Sequence, residues 1–272
     1  MTSPMTISEK DRSRIARLCL MHDNFMTLVF DNNIPAAQLV VRVILGRDDL
    51  VVTKVTAQRN YHGSDADTRS ARLDIIAQDR QGRVYDVEVQ QEDRGALPQR
   101  ARFYSSVIDS RMLKQGDSFE TMRDSYIIFI TEKDVLGKGL PLYSIDRVVT
   151  QTGEPFGDGS HIIYVNGSNR DLKTPLGRLM HDFHCTEAKD ILNAELQSSV
   201  RHYKEEEVTS MCEIWKEVRD EGRMESVRDT VAVCRNFGIG DSDILVQIQK
   251  QYGLSLEEAE KYMKAAPRPS HV

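Results

Sequence analysis

Three side chains able to do hydrolytic chemistry fall close together in "RLDIIAQDRQGRVYDVEVQ", Arg72 to Gln90: Asp74, Glu88 and Gln90. Side chains alternate along a strand, so Asp86, Glu88 and Gln90 share one face, while Tyr85, Val87 and Val89 take the other. A three-residue loop of Arg80, Gln81 and Gly82, with glycine in the left-handed position, pairs Asp79 with Arg83. The same register sets Asp74 directly opposite Glu88, with Cβ atoms about 5 Å apart. The opposite charges beside the turn favour this register; the opposed carboxylates strain it. A divalent cation would relieve that strain, because Mg²⁺ takes one or two carboxylates together with waters and phosphate oxygens. Such an ion can activate a water and stabilise charge developing at a phosphate. Gln90 projects beside Glu88 and could hold the attacking water or a phosphate oxygen, although it supplies no positive charge. An ordinary solvated hairpin face produces the same alternation and stands as the alternative.

The elements that must position these residues show a change of period. Residues 9 to 31 read as helical with a break around "MHDN", and "IPAAQLVVRVILGR" reads as a helix with Pro35 in its first turn and Gly46 at its end. "DLVVTKV", "RLDIIAQ" and "VYDVEVQ" are short, β-branched segments bounded by turn material and read as strands. "LPQRARFYSSVIDSRMLK" returns to helical spacing, followed by strands "SYIIFIT", "LYSIDRVV" and "HIIYV". Beyond Pro175 the chain reads as wholly helical. It ends on "GLSLEEAEKYMK", where Gly253 stops one helix and Ser255 with Glu258 forms a capping box for the next. An α-β-β-β-α-β order implies a mixed sheet flanked by helices, with an all-helical C-terminal region. The soft boundary falls near Cys185, giving expected units 1–185 (core about 23–150) and 186–272, the second for oligomerisation or partner binding.

The chain has 272 residues, 40% hydrophobic and 29% charged, an ordinary soluble composition that allows one large domain and a smaller region. No window reaches the roughly 18 apolar residues needed to span a bilayer. The first twenty residues carry charges where a signal peptide needs an apolar run. Four scattered cysteines form no C-x-x-C pair and read as free thiols, so a cytoplasmic protein is expected. The net charge of −6 speaks against nucleic acid at first sight, but its distribution changes the reading. Thr186 to Ala266 holds 11 basic against 17 acidic side chains, so the acidity belongs to the C-terminal part. Arg94, Arg100, Arg102, Arg111 and Lys114 face only Asp109 in the stretch after the hairpin. At 100° per residue Arg100, Tyr104, Val107 and Arg111 fall in one stripe, which could lie along a phosphate backbone or be a solvated helix face.

With these residues in view, Asp74 in "RLDI", Glu88-x-Gln90 in "DVEVQ", the following "RARFYSSVIDSRMLKQGDSF" and the opening "HDNFMTLVF" with Asp23, Phe25 and Phe30 resemble the PD-(D/E)XK nuclease family transposases, the recombination-promoting nuclease group. The resemblance runs from about Asp23 to Thr131 and rests on the order of the motifs together. It implies a restriction-endonuclease-like fold and a Mg²⁺- or Mn²⁺-dependent endonuclease that hydrolyses phosphodiester bonds of duplex DNA, linked to transposition or recombination. Carried over, Asp74 and Glu88 would be the metal ligands, and Gln90 would stand where the superfamily usually has lysine. Arg94, Arg100, Arg102, Tyr104, Arg111 and Lys114 are then the candidate DNA contacts. Two departures are Thr27, where the group often has lysine, and "PAAQLVVRVIL", which lacks a helix glutamate; Asp23 could fill that supporting role.

"RLMHDFHCTEAKD" gathers His181, His184 and Cys185, but without a second cluster these read as helix-surface or core histidines. The paired glycines of "VLGKGLP" and "FGDGSH" match no phosphate loop and read as turns. The helical pair "DSDILVQIQKQYGLSLEEAEKYM" could form a DNA-reading motif, but Glu257, Glu258 and Glu260 oppose phosphate contact, so a homo-oligomer or partner surface is the better reading. A catalytically weak nuclease-fold module that binds DNA or protein, for example in phage defence, is the alternative function, and an RNA nuclease using the same ligands is a third.

Overall fold

In the computed structural model, which describes residues 13, 15–61, 71–91, 95–206, 227, 230, 231, 233–235 and 239–265, six strands form one mixed sheet in the order β1-β2-β3-β4-β6-β5. The strands are β1 (Val52–Tyr61), β2 (Ala71–Asp79), β3 (Val84–Gln90), β4 (Ser125–Thr131), β5 (Leu142–Ile145) and β6 (Ser160–Asn166). Before them come helices α1 (Asp23–Phe30) and α2 (Ile34–Leu45), and between β3 and β4 lies α3 (Pro98–Asp109). This is the mixed sheet flanked by helices that the resemblance implies. The α2 borders follow from local chemistry: Pro35 sits in the first turn, the Asn33 side chain accepts from the Ala36 N–H, and Gly46 closes the end at φ 62°.

The β2–β3 hairpin has the expected register. Ile75 pairs with Val87, Ile76 with Asp86, Ala77 with Tyr85 and Gln78 with Val84. The loop needs a left-handed residue, and Gly82 supplies φ 82°. Asp79, buried beside it, accepts from the Arg83 Nε at 2.6 Å and the Tyr85 hydroxyl at 2.8 Å, so the opposite-charge pair that favoured the register is formed.

The hairpin is not a solvated face. β3 lies between β2 and β4 and runs parallel to β4, with Asp86 opposite Ile127 and Glu88 opposite Phe129. Over that face α3 packs Ala101, Tyr104 and Ile108 onto Ile76, Ile127, Phe129 and Tyr164. Alternation along β3 therefore marks two covered faces. The α3 stripe turns out to be a packed one: Tyr104 is buried, and the helix ends at Asp109, so Arg111 lies beyond it.

By contacts the chain forms two compact units, 1–208 and 209–272. The first unit includes α4 (Pro175–His184) and α5 (Ala194–Arg201), both of which pack on α2. In the second unit α6 (Asp241–Tyr252) and α7 (Leu256–Ala265) bury Ile244, Ile248, Ala259 and Met263. The capping box is formed: the Ser255 N–H donates to Glu258 Oε2 at 2.8 Å, and the Glu258 N–H to Ser255 Oγ at 3.2 Å. No single helix among the described residues is long and apolar enough to cross a membrane.

Candidate active site

The backbone ladder between β2 and β3 stops at Ile75 and Val87, and just beyond it the two opposed carboxylates take over as acceptors. Glu88 Oε1 accepts the Asp74 N–H at 2.9 Å, and Asp74 Oδ2 accepts the Val89 N–H at 3.1 Å. Each acid is thus held by the opposite strand. Asp74 is 5% exposed and Glu88 is fully buried. Asp74 Oδ1 accepts no hydrogen bond among the described residues, and Asp74 lines a cleft of about 820 Å³.

The strain of two buried like charges is partly offset from α3. Arg100 donates through Nη2 to Glu88 Oε2 at 2.8 Å, through Nη1 to Gln90 Oε1 at 3.1 Å and to the Gly95 carbonyl at 3.1 Å, and through Nε to the Tyr104 hydroxyl at 2.8 Å. Its guanidinium carbon lies 4.9 Å from the Tyr104 ring centroid and 5.9 Å from that of Phe129. One arginine therefore fixes Glu88, Gln90 and the start of α3 together. Gln90 is held by its oxygen, and its amide N–H groups have no protein acceptor among the described residues. Gly95 makes this possible: a Cβ there would sit 1.9 Å from Gln90 Oε1.

Proton affinities follow from this burial. The Asp74 carboxyl is pushed up to about 6 by burial first and the charge of Asp23 second. Glu88 is pushed up to about 8 by burial and then Asp74, against the pull of Arg100. Asp86, on the same face, is fully buried with neither oxygen hydrogen-bonded. Burial, Glu88 and Asp74 in that order raise it well above the carboxylate range, which favours its protonated form. The Tyr104 hydroxyl rises to about 12, chiefly through burial.

Among the expected site residues, Asp23, Asp74, Gln90, Arg100 and Tyr104 line one cleft, and Glu88 lies fully buried behind them, bonded to the Asp74 N–H and to Arg100. Asp23 opens α1 and accepts from Gln58 Nε2 at 3.3 Å and from Arg72 Nη2. Arg100 donates to Glu88 and Gln90, Tyr104 accepts from Arg100, and both line the cleft. Arg102 is exposed elsewhere on α3, Arg111 lies 4.7 Å over the Tyr61 ring, Lys114 lies on the following exposed turn, and Arg94 lies outside the described residues. Sequence reasoning missed Arg72, Gly95 and Gln58. A glycine seven residues after Glu88 was visible in the sequence, but only the folded turn shows whose space it vacates.

Asp74, which lines the cleft with Oδ1 left without a hydrogen bond among the described residues, fits a hard divalent cation such as Mg²⁺ or Mn²⁺; Glu88, buried with both oxygens bonded, would join it by exchanging its Arg100 bond. The one group of three His, Cys or acidic ligand atoms close together among the described residues is His181, Asp182 and Cys185. It is already committed: Asp182 accepts from the Leu192 N–H at 2.8 Å, the Asn193 N–H at 2.8 Å and Asn193 Nδ2 at 2.7 Å. Burial, followed by Asp182 and Asp190, lifts the Cys185 thiol to about 11, away from the thiolate a metal would need. The triplet caps the turn that follows α4, in keeping with the structural reading of its histidines.

In comparison with known proteins, the model of the PD-(D/E)XK nuclease family transposases matches residues 38–175. That span holds the whole sheet and α3, with Asp74, Glu88, Gln90 and Arg100, and leaves Asp23 outside. No curated protein and no solved structure matches the chain.

Proposed function

From the premise that the chain belongs to the PD-(D/E)XK nuclease family transposases, we propose that it is a divalent-metal-dependent endonuclease hydrolysing DNA phosphodiester bonds in the service of transposition or recombination. The observation that carries the reading is the buried Asp74 and Glu88 pair, held crosswise by opposite strands, with Asp74 lining an open cleft and its Oδ1 accepting no hydrogen bond among the described residues. Asp74 and Glu88 would hold Mg²⁺ or Mn²⁺, which when bound lowers the pKa of a coordinated water and offsets charge on the phosphate.

The chain's own groups do the rest. Gln90, clamped through its oxygen, offers amide N–H groups to the attacking water or a non-bridging phosphate oxygen. Arg100 keeps a permanent positive charge against Glu88 and Gln90, which is the charge that glutamine in place of lysine does not provide. That placement favours a working site over a catalytically silent binding module. Hydrolysis joins the water oxygen to phosphorus and breaks the bond to the leaving sugar oxygen, which takes up a proton. Because Asp74 and Glu88 bind protons up to about 6 and about 8, cation binding competes with protons and strengthens as pH rises.

Cleavage of supercoiled plasmid with Mg²⁺ or Mn²⁺ tests the proposal. The wild type should nick or linearise DNA, with Asp74→Ala and Glu88→Ala at least about a hundredfold slower. Equal rates in all three proteins, or no cleavage by the wild type across both metals, would refute it.

A further inference from the structure

A second cleft of about 570 Å³ opens at the other end of α3, with no carboxylate among its described lining residues. Strand β2 links it to the first: Asp74, Ile76 and Gln78 share one face, Asp74 lining the catalytic cleft and the other two this one. Two residues of strand advance about 7 Å, so Asp74 and Gln78 stand roughly 14 Å apart, about four nucleotide steps of 3.4 Å. Helix α3 follows the same line, with Arg100 and Tyr104 beside the first cleft and Ile108 beside the second.

The second cleft is cationic. Lys54, Arg59 and Arg123 line it, all exposed, and none has a carboxylate within ion-pair distance among the described residues. Arg59 and Arg111 lie 5.3 Å and 4.7 Å over the ring of Tyr61 on the same wall. In a chain of net charge −6, a cleft with Lys54, Arg59 and Arg123 and no carboxylate among its described lining residues is a local exception. At the rim, the short helical turn Phe119–Thr121 contributes Thr121 to the lining and leaves Phe119 85% exposed. Isolated cations on a surface are solvated at little cost, and a single exposed aromatic is ordinary. Their combination on the strand and helix that carry the catalytic pair is the pattern of a nucleic-acid track, with cations for phosphates and a ring for a base.

We propose that this cleft binds the phosphodiester backbone of the nucleic-acid strand beyond the scissile bond, through Lys54, Arg59 and Arg123, with Phe119 stacking on a base. The inference rests on the nuclease reading of the neighbouring cleft. It adds contacts on the β1–β2 side of the sheet to those the sequence suggested after the hairpin, of which Arg111 lines this cleft.

Fluorescence anisotropy with labelled duplex DNA, single-stranded DNA and RNA of matching sequence, in chelator so that nothing is cleaved, tests it. The Lys54→Ala/Arg123→Ala double variant should bind at least about tenfold more weakly at low salt. The slope of log affinity against log salt should fall by about two, one for each phosphate that the variant no longer neutralises. Phe119→Ala should weaken binding several-fold with the slope unchanged, because stacking releases no counterions. Arg102→Ala, on exposed α3, should bind as the wild type does, and matching thermal melts would show that all variants fold. Weaker binding in the DNA arms or in the RNA arm identifies the strand the cleft takes. Wild-type affinity and slope in the double variant for all three probes, or no binding of any probe by the wild type, would overturn the proposal. Cleavage is scored separately: binding that depends on Lys54 and Arg123 in a protein that never cuts would sink the nuclease reading and leave this surface standing.

Discussion

In chelator, the protein should lose stability as pH rises from about 5 to above 8, and Asp74→Asn should remove a large part of that loss. The Asp74 carboxyl moves from an ordinary 3.8 to about 6 on folding, and Glu88 from 4.5 to about 8. At 1.36 kcal/mol per tenfold change in proton affinity, these correspond to about 3 and about 5 kcal/mol. Asp74 is among the causes of the Glu88 shift, so the two titrate as a pair and the loss, several kcal/mol, belongs to the pair. Both groups hold protons more tightly when folded. Their contribution is therefore fully present below about pH 4 and disappears as pH rises through about 6 and then about 8. Asparagine at position 74 can still accept the Val89 N–H while removing one buried charge, so Glu88 should titrate lower in that variant. Urea unfolding at a series of pH values, with chelator and with Mg²⁺, measures this. Mg²⁺ should restore wild-type stability progressively at the alkaline end, because it binds only the deprotonated pair. Wild-type stability that is flat or rising across the range in chelator, or a variant with the wild-type slope, would refute the reasoning.

Other perturbations probe separate features of the site and fold. Gly95→Ala, whose Cβ would meet Gln90 Oε1 at 1.9 Å, should slow cleavage about tenfold or more while changing stability by under about 1 kcal/mol, checked by single-turnover rates and urea unfolding. Arg100→Met should leave Mn²⁺ affinity equal or tighter, since Glu88 Oε2 is released, yet lower kcat about a hundredfold; calorimetry beside kinetics would show the split. Asp182→Ala should cost on the order of 3 kcal/mol, because it strands three N–H donors at Leu192 and Asn193 without touching the cleft.

Much of the site was legible because strand parity leaves few choices. Turn length at Gly82 and the Asp79–Arg83 pair specify a register, and that register alone sets Asp74 against Glu88. The borders of α2 and the capping box before α7 were equally visible, since each depends on neighbours within four residues. What was not legible depends on distant partners. β3 is buried on both faces because β4 pairs with it in parallel from about 40 residues away, and nothing in "VYDVEVQ" distinguishes a covered face from a wet one. Arg100 and Tyr104 fell in a stripe by helical projection, but projection does not say which side of α3 meets the sheet. In the fold Arg100 is the clamp on Glu88 and Gln90, and Tyr104 is the buried ring beneath its guanidinium. The basic cleft was hidden for the same reason, since Lys54 and Arg59 on β1 meet Arg123 only in the fold.

Whether Asp74 and Glu88 together hold a divalent cation is decided by calorimetric titration with Mn²⁺ at about pH 8, where the Glu88 proton is leaving. Saturable binding is expected in the wild type, weakened at least about tenfold in Asp74→Asn and in Glu88→Gln, and unchanged in His181→Ala. Equal affinity in the wild type and both carboxylate variants, or loss of binding in His181→Ala alone, would contradict a cation held by this pair.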